Sequence, residues 1–187
     1  MLRLGIGERG VAEILAVAEH TAGLCAGAAG FGLRPDAPDG QAASVNAFVR
    51  LLDEETAGDA AATLAEIRAW ARDTLGFDRA PAFWRALAHQ PRLLAATWAK
   101  HRLVMNAGEL DAATKVCLGL AVATFKQSDY WIAYFGRLAR RSANLDDAGL
   151  VEVTGAVMHY VSFNTIAHGM RLEPPFTDLS ADELARS

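Results

Sequence analysis

Few side chains in this sequence can do nucleophilic, redox or acid–base chemistry, and their spacing already limits what they can do. The two cysteines, Cys25 and Cys117, lie far apart in the chain. They form neither a Cys-x-x-Cys redox pair nor a zinc-binding spacing, so dithiol chemistry is excluded. Cys25 has no adjacent base or cation, the nearest being His20 five residues away, and is expected to be a packing residue. Imidazoles titrate near neutrality, which makes His101, His159 and His168 candidate general acids or bases. His159 and His168 are nine apart, off the four-residue spacing that sets two ligands on one helix face, so no metal and no cofactor is expected. His101 sits between Lys100 and Arg102, a basic cluster expected to face water. Arg137, Arg140 and Arg141 fall near the end of a predicted helix, where cations complement the helix dipole; an anion site there would require them to face a cleft.

These residues must be positioned by helices. Ala, Leu, Glu and Arg fill long windows of the 187-residue chain, and no alternating run of β-branched residues persists, so the class is all-α. A first helix is predicted over Val11 to about Ala26, followed by a loop, GFGLRPDAPDG. Ser44 is a candidate cap for a helix carrying Val45, Phe48, Val49 and Leu52. A longer helix is predicted from Asp59 to Leu75, closed by Gly76, and residues 1–75 form the N-terminal helices. Pro81 suits the start of a short helix near Ala80, and Pro91 separates it from the next. Asp111 is predicted to cap a helix through Phe125, Ser128 to cap another carrying Trp131, Phe135 and Leu138, and Asn144, Asp146 and Asp147 to start a last one from Gly149 to about Met170. The tail, residues 173–187, is polar.

Apolar residues make up 52% and charged residues 21% of the chain, the balance of a globular chain that buries one core, so residues 1–187 are expected to form a single all-helical domain. With a net charge of -4 and basic residues interspersed with acidic ones, nucleic acid is not an expected partner. The apolar stretch Val11 to Leu33 is interrupted by Glu13, Glu19 and His20, which argues against a membrane span or a secretory signal. A cytoplasmic protein with reduced thiols is expected.

From Pro91 to Met170 the chain reads PRLLAATWAKHRLVMNAGELDAATKVCLGLAVATFKQSDYWIAYFGRLARRSANLDDAGLVEVTGAVMHYVSFNTIAHGM. A helix follows the pair Leu110 and Asp111, an alanine-rich helix runs by a tight connection into a second, an aspartate-containing start opens a third, and Asn164 stands in YVSFNTIAHG. In this order of features the segment resembles the carboxymuconolactone decarboxylase family and its alkylhydroperoxidase D-like (AhpD-like) branch. The resemblance implies a multi-helix bundle with its core helices in residues 91–172, assembled as a homo-oligomer. Members of the branch carry a glutamate on the core helix, a Cys-x-x-Cys pair at the start of the next and a histidine four residues on. Those positions fall here on Val116, Ser128, Trp131 and Phe135, so the resemblance implies the scaffold with a degenerate motif.

A pocket in the family's position would draw on Ser128, Tyr130, Trp131, Tyr134 and Phe135, with Lys126, Asp129 and His101 as candidate catalytic groups. The same residues also suit ordinary duties: Ser128 and Asp129 at a helix start, the aromatics in packing or at a subunit interface. Two functions remain open. One is a non-redox protein that pairs with itself and takes a small-molecule ligand. The other is an acid–base enzyme of the decarboxylase type acting on a small carboxylated or lactone-like substrate. Alkylhydroperoxidase activity ranks last.

Overall fold

The computed structural model describes residues 5–37 and 47–172. Among them the chain forms seven α-helices and no strand: α1 (Glu8–Gly30), α2 (Ala61–Leu75), α3 (Ala82–Leu87), α4 (Pro91–Met105), α5 (Ala112–Phe125), α6 (Asp129–Ser142) and α7 (Asp147–Gly169). The all-α class agrees with the sequence.

Helix ends follow local chemistry. Asp111 accepts a hydrogen bond from the Thr114 N–H at 2.7 Å, and Asp146 one from the Gly149 N–H at 2.8 Å, so each satisfies a free donor of the helix it opens. Gly76 closes α2 in the left-handed conformation, φ 70°, as its position suggests. Ser128 occupies the capping position of α6 but makes no side-chain cap bond there. The α5–α6 connection is tight because Gln127 takes the left-handed conformation, φ 53°, and the Ser128 N–H reaches back to the Ala123 carbonyl at 3.1 Å.

The α5–α6 hairpin is the centre of the bundle. On α6, Tyr130, Trp131, Tyr134, Phe135, Leu138 and Ala139 are buried, the i, i+1, i+4, i+5 pattern of a single core face. On α5, Gly119 lies beneath the Phe135 ring, so that a Cβ there would stand 2.5 Å from Phe135 Cε1. The absence of a side chain at Gly119 sets how closely the two helices approach.

Two expectations are corrected. The first helix runs a turn further at each end than predicted, and Gly27 continues it against the Phe83 ring rather than ending it. The helix expected through Phe48, Val49 and Leu52 does not form over residues 47–53; Ser44 and Val45 lie outside the described residues. Its backbone is bonded elsewhere. The Leu52 N–H goes to the Arg85 carbonyl at 3.3 Å, Arg85 Nε returns to the Leu52 carbonyl at 3.3 Å, and His89 Nε2 holds the Arg50 carbonyl at 2.8 Å. Arg85, buried and paired with Asp53 at 2.9 Å, staples the segment to α3, and Phe48 is left exposed.

Among the described residues one helix, α1, is long and apolar enough to cross a membrane by length and composition. Glu13, Glu19 and His20, which interrupt it, each have a partner in the bundle. Glu13 accepts the N–H groups of Glu109 and Leu110 at 3.0 Å each and pairs with the buried Lys115 at 3.0 Å; Glu19 pairs with Lys100 at 2.6 Å; His20 bonds His101 at 3.1 Å. The backbone donors and then Lys115 hold the Glu13 carboxyl down to about 2.

Candidate functional site

The candidates named from sequence divide between a groove and the core. Ser128 borders an open groove of about 340 Å³ between α1 and the α5–α6 turn, together with Cys25, Leu33, Lys126 and Tyr130. Lys126 and Asp129 stand exposed on its rim. Asp129 lies 3.8 Å from Arg34, and the Lys126 ammonium sits 5.7 Å from the centre of the Phe125 ring. Burial pushes the Cys25 thiol up, with a smaller opposing pull from Ser128 and Lys126. Burial likewise raises the Cys117 thiol, helped by Asp111. Both thiols are therefore held protonated and weakly nucleophilic.

Trp131 and Phe135 lie wholly in the core, where Trp131 Nε1 donates to the Leu24 carbonyl at 2.8 Å. Val116 is also buried. Tyr130 reaches inward to Asp36: its hydroxyl donates to Asp36 Oδ2 at 2.8 Å and accepts the Phe83 N–H at 3.0 Å. Asp36 further accepts the Ala82 N–H at 3.2 Å. Burial lifts its carboxyl to about 6, against downward pulls from Tyr130, the Ala82 N–H and Arg85. Burial also pushes the Tyr130 and Tyr134 hydroxyls well above their ordinary range.

His101 departs furthest from its expected setting. Lys100 and Arg102 are solvated and paired with Glu19 and Glu66, but His101 is only 2% exposed. Successive helical residues point about 100° apart, so a basic triplet need not share one environment. The His101 ring stacks on Trp98 with centroids 5.6 Å apart and meets Trp70 and Trp84 edge to face. Its Nδ1 bonds His20 Nε2 at 3.1 Å, and its Nε2 lies 3.4 Å from the Tyr134 hydroxyl. Burial lowers His20 to about 4 and His101 to about 3, so both are neutral at pH 7.

Sequence reasoning missed two members of this constellation. His20 lies in the buried stripe of α1 with Val17, Thr21, Leu24, Cys25 and Ala28, a helical period legible in the sequence. Asp36, in an apparent loop, has no such signal. The arginine cluster also acts differently from expectation: Arg137 Nε and Arg141 Nε donate to the Leu75 and Thr74 carbonyls, and Arg140 pairs with Asp147 at 2.6 Å. The cations therefore satisfy the C-terminal end of α2 as well as sitting at the end of their own helix. His159 and His168 are exposed on α7, and among the described residues no three of His, Cys, Asp and Glu converge as metal ligands.

No protein-family profile matches the sequence, and no curated protein matches it. Among solved structures, the chain is similar to the crystal structure of an alkylhydroperoxidase AhpD core from Rhodospirillum rubrum. The two are 28% identical with a TM-score of 0.60, over 69% of this chain and 94% of that one. The chain has the all-α AhpD-like fold.

Proposed function

We propose that this chain, an AhpD-like fold whose cysteines are Cys25 and Cys117 alone, is a non-redox, cytoplasmic protein that assembles with copies of itself and binds a small molecule. The observation that carries self-association is α7. Val151, Met158, Tyr160, Phe163 and Ile166 on it, and Met170 at its C-terminal end, are each more than half exposed, and none of the helix's residues is buried. Large apolar side chains gathered on one helix are ordinarily covered. Leu150 and Val153, near its start, pack on the core, so the remaining turns present an exposed patch of the kind that marks an interface. Light scattering on the purified protein tests this. A multi-subunit mass is expected for the wild type and a monomer for Phe163→Glu/Ile166→Glu; a wild-type monomer as the sole species at micromolar concentration refutes it.

The non-redox part is supported by the raised thiols and by Val116, Ser128, Trp131 and Phe135 at the positions where the branch carries its motif. Peroxide reduction with a dithiol donor is expected to be absent and unchanged in Cys25→Ser/Cys117→Ser. Thiol-dependent turnover in the wild type would reverse the assignment. The second reading, an acid–base enzyme acting on a small carboxylated or lactone-like substrate, is favoured by the groove that gathers Ser128, Lys126 and Asp129. On that reading Lys126→Ala and Asp129→Ala abolish turnover of such a substrate.

A further inference from the structure

A second groove, of about 450 Å³, lies between α1 and α4 with α3 at its base, and His20 is among its lining residues. Its other walls are largely carbon, from Leu24, Phe31, Phe83, Leu87 and Leu93. The charges at its mouth, Glu19 and Lys100, neutralise each other at 2.6 Å, so the groove offers no free charge to an ionic ligand.

The hydrogen bonding of His20 is one-sided. Its Nε2 is committed inward to His101, and among the described residues no protein group bonds its Nδ1. The described buried polar atoms without a partner are Thr21 Oγ1, Trp84 Nε1 and Arg85 Nη1. His20 Nδ1 is not one of them, and His20 lines the groove. Behind it the line continues: His20 Nε2 to His101 Nδ1 at 3.1 Å, His101 Nε2 to the Tyr134 hydroxyl at 3.4 Å.

We propose that the α1–α4 groove binds a small, uncharged, mainly apolar molecule bearing one hydroxyl or carbonyl, and that His20, His101 and Tyr134 set their hydrogen-bond direction together in response to it. A neutral imidazole has one N–H and one bare nitrogen. A ligand hydroxyl that donates to His20 Nδ1 leaves the His20 proton on Nε2, where it donates to His101 Nδ1. The His101 proton is then on Nε2, facing the Tyr134 oxygen. A ligand carbonyl selects the reverse: the Tyr134 hydroxyl donates to His101 Nε2, the His101 proton is on Nδ1 facing His20 Nε2, and the His20 proton is on Nδ1 facing the ligand. Each state holds one proton per imidazole and one on the tyrosine, so neither carries a net charge. The apolar walls and the ring of tryptophans around His101 strengthen this discrimination, because a mismatched partner there cannot turn to water. The proposal does not depend on self-association through α7 or on the Ser128 groove.

The test is side-chain nitrogen NMR of the intact, histidine-labelled protein titrated with 4-fluorophenol as donor and cyclohexanone as acceptor. The His101 proton is expected on Nε2 with the phenol and on Nδ1 with the ketone. In Ala96→Trp, which fills the groove from its exposed rim, the apparent affinity of both probes is expected to weaken about tenfold or more. The same His101 tautomer with both probes, or no response at His101, overturns the coupled line. Undiminished affinity in Ala96→Trp overturns the groove as its site.

Discussion

Acidification from pH 7 to 4 should destabilise the fold less than its buried histidines alone imply, because Asp36 acts in the opposite direction. The ordinary imidazole value of 6.5 falls to about 3 for His101 and about 4 for His20. Below pH 6.5 the unfolded chain takes up these protons and the folded one does not. Stability is therefore full above that pH and declines as it falls toward the folded values. For His101, about 2.5 pH units at about 1.4 kcal/mol each is a loss of about 3 kcal/mol at pH 4. His20 borders a groove and is partly screened, so it adds about half as much. The Asp36 carboxyl rises from 3.8 to about 6, so the folded state binds this proton first. It regains about 3 kcal/mol over the same range. Wild type should lose about 2 kcal/mol, Asp36→Asn about 5, and His101→Gln nothing or less than nothing. Urea unfolding at fixed protein concentration, extrapolated to water at each pH, measures these slopes. Equal slopes for wild type and Asp36→Asn would refute the opposing role of Asp36, and a slope unaltered in His101→Gln would refute the assignment of the acid loss to that imidazole.

Two further outcomes follow from the packing and from the α1 contacts. Gly119→Ala places a Cβ within 2.5 Å of the Phe135 ring and should destabilise the bundle by about 1–3 kcal/mol in urea unfolding; an unchanged midpoint would show that the α5–α6 spacing is not set there. Lys115→Met removes the cation beside Glu13 but leaves the two backbone donors that dominate its shift. The Glu13 carboxyl, followed by carbon NMR, should rise from about 2 only part of the way to its ordinary 4.5. Because that shift contributes stability lost as pH falls from 4.5 to 2, acid unfolding should move to higher pH.

The helices were legible wherever a cap or a period marked them. Asp111, Asp146 and Gly76 act as their residue types require, and the α6 stripe from Tyr130 to Ala139 announced its buried face. Residues 47–53 mislead because Phe48, Val49 and Leu52 have helical spacing, while the backbone of the segment is held by distant groups: the Phe48 N–H by the Phe31 carbonyl, Leu52 by Arg85 and Arg50 by His89. The site was only half legible. Tyr134 and His101 are among the sequence candidates, but His101 carries the charge signature of a surface cluster, and His20 shows only as a neighbour of Cys25 and a break in an apolar run. Asp36 was invisible for a plain reason: its environment is made by the hydroxyl of Tyr130, 94 positions on.

The partners of α1 have a consequence for synthesis. Glu13, Glu19 and His20 wait for groups 81 to 102 residues later in the chain, and the Leu24 carbonyl waits 107 residues for Trp131. A 23-residue apolar helix is thus made before the groups that complete it, which arrive when α4, α5 and α6 have followed it. Until then its buried stripe is open to other surfaces, which makes the interval before α6 is synthesised the period of greatest exposure to misassembly and to capture by chaperones.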